Sequence, residues 1–344
     1  MQNKLTFLAR KALDISILDI ARYVGEGKFP NTGKQISPDQ KNLLEEMRHS
    51  VYNSPTPFKP SIHWKKVNNI FDKYFNTVGI NNPEDQEYNL RFSGFAPRDK
   101  RLHQYVCWMY LHLIKKRDSL HLLDTLSATC SEGIGHGYHM DNKYVSLDLL
   151  LSIDEFYSMY ELNPAIATSR CTIAELGAGW GRLGYVLSKV NPLCTYIIFD
   201  LPEALLVSQS YLPKLLPQAK VADYRSTRKL EKINKDMLLE SNLWFLPPQD
   251  MPKFEPSTVD FVVTIASLQE MPQEYVTAYL NYFSKFASNG HCYIKQLSDG
   301  VRSGHLMDEI KNLESYHFPK EWEQIYLRDS LISESFFEAG FHIN

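Results

Sequence analysis

The segment Ile173-Ala-Glu-Leu-Gly-Ala-Gly-Trp-Gly-Arg-Leu-Gly184 constrains this chain more than any other, because it joins a short apolar run to a glycine-rich turn and then to a helical pattern. Thr172 to Leu176 reads as a buried strand. Gly177, Gly179 and Gly181 let the backbone turn sharply and lie against a ligand with no Cβ in the way. Leu183, Leu187 and Val190 then share one helix face, and such a helix aims its N-terminal N–H groups at whatever the turn holds. Further on, the run Tyr196-Ile-Ile-Phe199 ends in Asp200, where a second parallel strand would present a carboxylate to a ribose diol.

The rest of the C-terminal half continues this pattern. Leu243-Trp-Phe-Leu246 reads as a third strand, stopped by Pro247-Pro248, with Gln249 and Asp250 placed just past its end to meet an adenine edge. Val259 to Ala266 is nearly all apolar, as in a strand covered on both faces, and leads into Ser267-Leu-Gln-Glu-Met271. Pro272 opens a helix with Tyr275, Ala278, Tyr279, Tyr282 and Phe286 on one face and Asn289-Gly290 as its C-cap, before a fifth strand at His291 to Leu297. The alternation predicts a Rossmann-like, doubly wound, mainly parallel α/β sheet over residues 166–344, with ligands beyond the carboxyl ends of its strands. Glu175, Asp200, Gln249 and Glu270 all fall at such ends. Residues 218–242 read as an insertion whose charged stretch from Arg225 to Asp236 is a solvated helix or lid.

Two ligands compete for the turn. Gly179-Trp-Gly-Arg-Leu-Gly184 satisfies the dinucleotide fingerprint G-x-G-x-x-G, which makes an NAD(P)-dependent oxidoreductase the alternative reading. Glu175, directly before the glycines, tips the balance: it would repel a pyrophosphate but not a cation. S-adenosylmethionine carries an ammonium, a sulfonium, a ribose and an adenine but no phosphate, so an acid on each of the first two strands suits it. A turn shaped only for tight packing is the plainer explanation. A catalytically dead sheet that binds a partner is a third, and the retained glycines and Asp200 argue against it.

These residues resemble the class I S-adenosylmethionine-dependent methyltransferases, and among them the sugar O-methyltransferases of bacterial surface-polysaccharide clusters. The resemblance is carried by Glu175 to Gly184, by Phe199-Asp-Leu-Pro-Glu-Ala-Leu205 with Ser210-Tyr-Leu212, and by Ser267-Leu-Gln-Glu-Met271. Val145-Ser-Leu-Asp-Leu-Leu150 and Glu155-Phe-Tyr157 are similar to the stretch that precedes the glycine turn in that family. The resemblance implies an O-methyltransferase acting on a sugar, nucleotide-sugar or glycan hydroxyl. It places Glu175, Gly177, Ala178, Gly179 and Gly181 around the methionine moiety and Asp200 on the ribose, with Leu201, Gln249, Asp250 and Ser267 completing the cofactor set.

Composition fits a cytoplasmic enzyme. At 344 residues and 44% hydrophobic content the chain can bury a full core and hold two domains. A net charge of -3 gives no general attraction to nucleic acid, and Lys115-Lys-Arg117 is the only short basic cluster. Five cysteines, odd in number and without a C-x-x-C pair, point to reduced thiols rather than disulfides or zinc. No run reaches the ~20 apolar residues of a membrane span, and Asp14 and Asp19 interrupt any signal-like core. The acids after the fourth strand include no adjacent pair, so no metal is assigned.

Residues 1–165 read as a helical cap that helps shape the acceptor pocket. Leu5, Leu8, Ala12 and Ile15 form an amphipathic stripe that packs on its own chain or pairs two subunits as a homodimer. Breaks follow at Gly25 to Pro38 and Ser54 to Pro60, then helices around Trp64 to Phe75 and Arg101 to Lys116, with Tyr105 to Ile114 read as buried. Between cap and sheet, Ser131-Glu-Gly-Ile-Gly-His-Gly-Tyr-His-Met-Asp141 reads as a glycine-rich loop. O-methyl transfer needs a hydroxyl aligned with the methyl and a group to take its proton. His136 and His139 suit that task, Glu270 is the carboxylate candidate at the fourth strand, and His305 is a third choice. The bland alternatives are exposed loop histidines and a helix-dipole acid.

Overall fold

The computed structural model describes residues 35–77, 79–80, 100–129, 137–140, 142–298, 313–331 and 336–344. Helix α1 (Pro38–Tyr52) starts at a capping box in which Ser37 and Gln40 each bond the other's backbone N–H, with Pro38 in the first turn. Helices α2 (Ile62–Thr77) and α3 (Lys100–Ile114) follow, then a hairpin of β1 (Gly137–Met140) and β2 (Lys143–Ser146). Ser146 caps α4 (Leu147–Leu162), whose side chains are buried from Leu147 through Met159.

From there strand and helix alternate: β3 (Thr172–Leu176), α5 (Arg182–Val190), β4 (Thr195–Phe199), α6 (Pro202–Leu215), β5 (Val221–Ala222), β6 (Leu243–Leu246), β7 (Phe261–Ile265), α7 (Gln273–Phe286), β8 (His291–Leu297), β9 (Glu323–Asp329) and β10 (Phe336–His342). They build one sheet in the order β5-β6-β4-β3-β7-β8-β10-β9. Pairing is parallel from β5 through β8, and β10 then runs antiparallel to both β8 and β9. Strand order reverses at β3, which lies between β4 and β7, so the crevice that such sheets offer to ligands opens at the end of the glycine-bearing strand.

Both faces of the sheet are covered at β3, β4, β6 and β7, which is why those strands are buried along their whole length and read as apolar without alternation. Ile173 and Ile198 face a core shared with α4, α5 and α6, while Ala174, Phe199 and Val262 face one shared with Val276, Tyr279, Leu280, Phe283 and Phe286 of α7. The expected doubly wound α/β fold is therefore present, and no helix among the described residues is long and apolar enough to cross a membrane.

Several local expectations change. The buried face of α7 centres on Val276, Leu280 and Phe283 rather than on Tyr275 and Ala278, since its flank must meet the sheet over its full length. Asn289 adopts the left-handed conformation at φ 64, whereas Gly290 serves close approach: a Cβ there would lie 2.7 Å from the Asp260 carbonyl oxygen. The 218–242 insertion is no free lid: it adds edge strand β5, buries Tyr224 and Thr227, and is tied to α1 by Arg225–Asp39 at 2.8 Å and Arg228–Glu46 at 2.8 Å. Helix α3 is half-buried, with Tyr105 and Trp108 facing out. Part of the glycine-rich loop is strand, because Gly137 to Met140 pairs with β2.

Helix α4 also carries a buried ionic chain. Glu155 accepts from both Nη atoms of Arg182 and, at 3.1 Å, from Lys295 Nζ on β8. Asp154 pairs with Arg117, and Ser158 donates at 2.8 Å to Glu338, which also takes Arg328 Nε at 2.8 Å. Burial alone would raise the Glu155 carboxyl, but the Arg182 and Lys295 charges outweigh it and hold the group below its ordinary value. Glu155→Ala should strand two buried cations and cost about 3–5 kcal/mol in denaturant unfolding. Glu161→Ala, which breaks only the exposed ion pair to Arg328, should cost under about 1 kcal/mol. Equal losses would contradict the role given to the buried chain.

Candidate functional site

The turn after β3 is built from left-handed glycines: φ is 78 at Gly177, 59 at Gly179 and 89 at Gly181, the residue that opens α5. Each is needed for a different reason. A Cβ at Gly177 would sit 2.1 Å from Ser267 Oγ, so this glycine lets the turn pass the end of β7. A Cβ at Gly181 would press on Leu212 and Ile198, at 3.0 and 3.3 Å. At Gly179 a Cβ would meet nothing within 4 Å, so this one faces open space, as a ligand cradle does. Ala178 between them is buried in the core.

Asp200, at the end of β4, fastens the turn. Its Oδ2 accepts the Gly179 N–H at 2.9 Å and its Oδ1 accepts the Leu201 N–H at 2.8 Å, which leaves each oxygen a lone pair for a further donor. Leu201 is the N-cap of α6, and Pro202 in the first turn sets the helix going. Past β6, Gln249 donates to Ser50 of α1 at 3.0 Å while its Oε1 is buried without a partner among the described residues. Asp250 pairs with Lys253 through Oδ1 at 2.7 Å and leaves Oδ2 buried without one. Such orphaned acceptors are costly and mark places where a ligand's donors would fit.

Glu175 lies beneath the turn and takes the Tyr196 hydroxyl. Burial lifts its carboxyl to about 7 against that hydrogen bond and the field of Arg182. Burial does the same to Asp200, also to about 7, although Gly179 and Leu201 pull down and Glu203 pushes up. At Glu270, after β7, burial takes the carboxyl to about 8, opposed by the Trp64 hydrogen bond and reinforced by the Asp200 charge. Among the described residues none of these three acids forms a salt bridge; the nearby Arg182 is engaged by Glu155, and Arg48 of α1 by Glu203 and Asp72 at 2.8 and 2.7 Å.

The structure thus gathers Glu175, Gly177, Gly179, Asp200, Ser267 and Glu270 around the ends of β3, β4 and β7, with Gln249 and Asp250 past the neighbouring β6. His139 is exposed on β1, with its ring 4.9 Å from that of Tyr144. His136 and His305 lie outside the described residues. Sequence reasoning missed Ser50, Ser61 and Trp64, which reach the site from the N-terminal helices: Trp64 Nε1 donates to Glu270 Oε2 at 3.0 Å and Ser61 Oγ to the Glu270 carbonyl at 3.2 Å. No local pattern marks them, since a contact across 206 positions leaves no spacing to read.

No model of a known protein family matches the chain, and no curated protein matches it in sequence. Solved structures similar to it include a TehB-like SAM-dependent methyltransferase from Corynebacterium glutamicum, at 15% identity and a TM-score of 0.37 over 56% of this chain and 88% of that one. A SAM-dependent methyltransferase from Aquifex aeolicus gives 15% identity and 0.36 over 56% and 90%. The N-methyltransferase NodS from Bradyrhizobium japonicum gives 14% and 0.35 over 55% and 96%. At these scores the likenesses carry no weight for what this chain binds, which its own residues decide.

A carboxyl whose folded value, about 8, lies above its ordinary 4.5 keeps a proton that the unfolded chain has lost, so stability falls as pH rises through that window. Glu270→Gln removes this dependence. The melting temperature of the variant relative to wild type should be more favourable at pH 9 than at pH 5; a difference that does not change with pH would contradict the burial of this acid.

Proposed function

We propose that this chain is an S-adenosylmethionine-dependent O-methyltransferase that methylates a hydroxyl of a sugar or polysaccharide precursor. One observation carries the donor: three acids, Glu175, Asp200 and Glu270, stand at the strand ends around an open glycine turn, with desolvation raising each carboxyl to about 7 or 8 and no salt bridge to any of them among the described residues. Such a site would gain from a cationic ligand and would repel a pyrophosphate. The alternative NAD(P) reading keeps its glycine pattern, including Gly184, where a Cβ would lie 2.5 Å from the Tyr196 ring and close helix–strand packing requires glycine; the acids at the strand ends are what weigh against a pyrophosphate.

Each residue then has work to do. Gly179 gives the ligand an approach to bare backbone, and Glu175 supplies negative potential from below the turn. Asp200 uses its two remaining lone pairs for a ribose diol, and the orphaned Gln249 Oε1 and Asp250 Oδ2 accept from an adenine amine. When bound, the sulfonium supplies an already activated methyl. The chain need only align a hydroxyl and take its proton. Of the candidates among the described residues, Glu270 is the one at the strand ends: the Asp200 charge acts on it, and a positive charge beside it would favour the ionised form that accepts a proton. The sugar acceptor rests on the resemblance of the Phe199–Leu205 and Ser267–Met271 segments, and residues 1–165 are assigned as its cap. A cytoplasmic setting fits Cys171, Cys194 and Cys292, which are buried as thiols.

Asp200→Ala should weaken S-adenosylmethionine binding by about 2 kcal/mol, roughly 30-fold, in a protein that still folds. Gly179→Val should fold at a modest cost from its left-handed φ and lose donor binding, because the side chain would occupy the cradle. Unchanged donor affinity in either folded variant would remove the ribose or cradle assignment. The acceptor is tested with radiolabelled S-adenosylmethionine and a panel of nucleotide sugars and lysate glycans. Label should enter a glycan fraction; transfer only to protein or small amines would overturn the sugar assignment and leave the donor standing.

A further inference from the structure

We propose that Trp64, from the N-terminal helical segment, is a positioning residue for the Glu270 carboxyl, so that the cap completes the reacting end of the site. The inference rests on the reading of Glu270 as the proton acceptor. Two bonds hold Glu270 from the same short stretch: the indole N–H of Trp64 on its side chain at 3.0 Å, and the Ser61 hydroxyl on its backbone carbonyl at 3.2 Å. The stretch is itself docked on α7. Phe58 packs against Tyr279 and Tyr282 with ring centroids 6.2 and 5.5 Å away, and the Tyr279 hydroxyl donates to the Pro57 carbonyl at 3.3 Å. Behind Trp64, Phe71 on the next turns of α2 backs its ring at 6.4 Å.

The chemistry of the contact is specific. An indole N–H can only donate, so it supports a carboxyl oxygen as acceptor and favours the ionised form. The other charged group facing Glu270 among the described side chains is Asp200 from the end of β4, whose charge opposes ionisation, and no described side chain of α2, α7 or the Ser267–Met271 turn brings a cation to it. Trp64 is therefore the one described side chain whose bond makes Glu270 easier to ionise, and it fixes which oxygen is left for an incoming hydroxyl. A tryptophan that merely glued α2 to the sheet would do so through its ring area and would leave proton binding at Glu270 untouched.

The test separates the two roles. The Glu270 carboxyl is followed by carbon-13 NMR in the free protein, labelled at glutamate Cδ and assigned with Glu270→Gln, as pH is raised. Trp64→Phe keeps a ring against Phe71 and removes the N–H. It should move the midpoint upward by about one pH unit, since a hydrogen bond to a charged group is lost. Proton release on binding S-adenosylmethionine, measured by calorimetry in buffers of different ionisation enthalpy, should move upward with it, and Trp64→Phe placed on Glu270→Gln should change nothing further. If Trp64→Phe does not fold, benzothienylalanine at position 64 preserves the shape without the N–H and should give the same displacement. A midpoint that stays at its wild-type value in a folded variant overturns the proposal. Absence of S-adenosylmethionine binding in wild type would instead defeat the functional reading, and the NMR titration would still decide the contact.

Discussion

The hydrogen bond from the Gly179 N–H to Asp200 Oδ2, 2.9 Å long, ties together the two strands on which the site depends. The turn after β3 holds three left-handed residues within five positions, a conformation that costs any residue with a Cβ about 1–2 kcal/mol and that a glycine turn does not hold by itself. Its shape is set from outside. The Gly177 N–H extends the β3–β4 ladder by donating to the Phe199 carbonyl at 2.9 Å, and Asp200 then grips the turn one step further on. Because Asp200 also caps Leu201, one carboxylate fixes the cradle and the start of α6 together. Its burial follows from that geometry, and with burial comes its reluctance to ionise.

The buried and half-buried acids around α4 and the strand ends divide into two kinds. Glu155 and Glu338 are answered by Arg182, Lys295 and Arg328, and they knit α4 to β8 and β10. Asp154, held between Arg117 and a more distant Lys295, stays raised at about 6 because burial outweighs its partners. Glu175, Asp200 and Glu270 have no such partners at all among the described residues, and they sit together at the strand ends. A fold that pairs its structural acids and leaves these three unpaired has concentrated its electrostatic cost where a ligand can relieve it. Arg182 separates the two groups: it begins α5 directly after the glycine turn, yet its guanidinium is turned back onto Glu155 and is not offered to a phosphate.

How much of this the sequence disclosed follows the range of the interactions. β3, β4, β6 and β8 were legible within a residue or two because apolar runs bounded by glycine and proline encode strand ends locally, and the α/β order fixed the parallel sheet. Asp200 and Gly179 were legible for the same reason, being set by position along one strand–turn–helix unit. The β9–β10 hairpin escaped notice: β9 is an edge strand with polar residues on show, although β10 carries a readable apolar run around Phe336, Phe337 and Phe341. Helix α1 was missed despite a readable signal, the Ser37-Pro-Asp-Gln40 capping box. The contacts of Ser50, Ser61 and Trp64 had no readable signal, because they depend on how the N-terminal helices dock. The glycine-rich stretch before α4 misled in part, since three of its glycines suggested a loop where Gly137 to Met140 pairs as strand.

Whether the unpaired acids define a cationic donor site is decided most directly by isothermal calorimetry of the wild-type protein at neutral pH with S-adenosylmethionine and, separately, with NAD and NADP. The arrangement of Glu175, Asp200 and Glu270 around the open turn predicts a saturable one-to-one isotherm with S-adenosylmethionine and no heat of binding with either dinucleotide. Saturable binding of a dinucleotide with none of S-adenosylmethionine would contradict it.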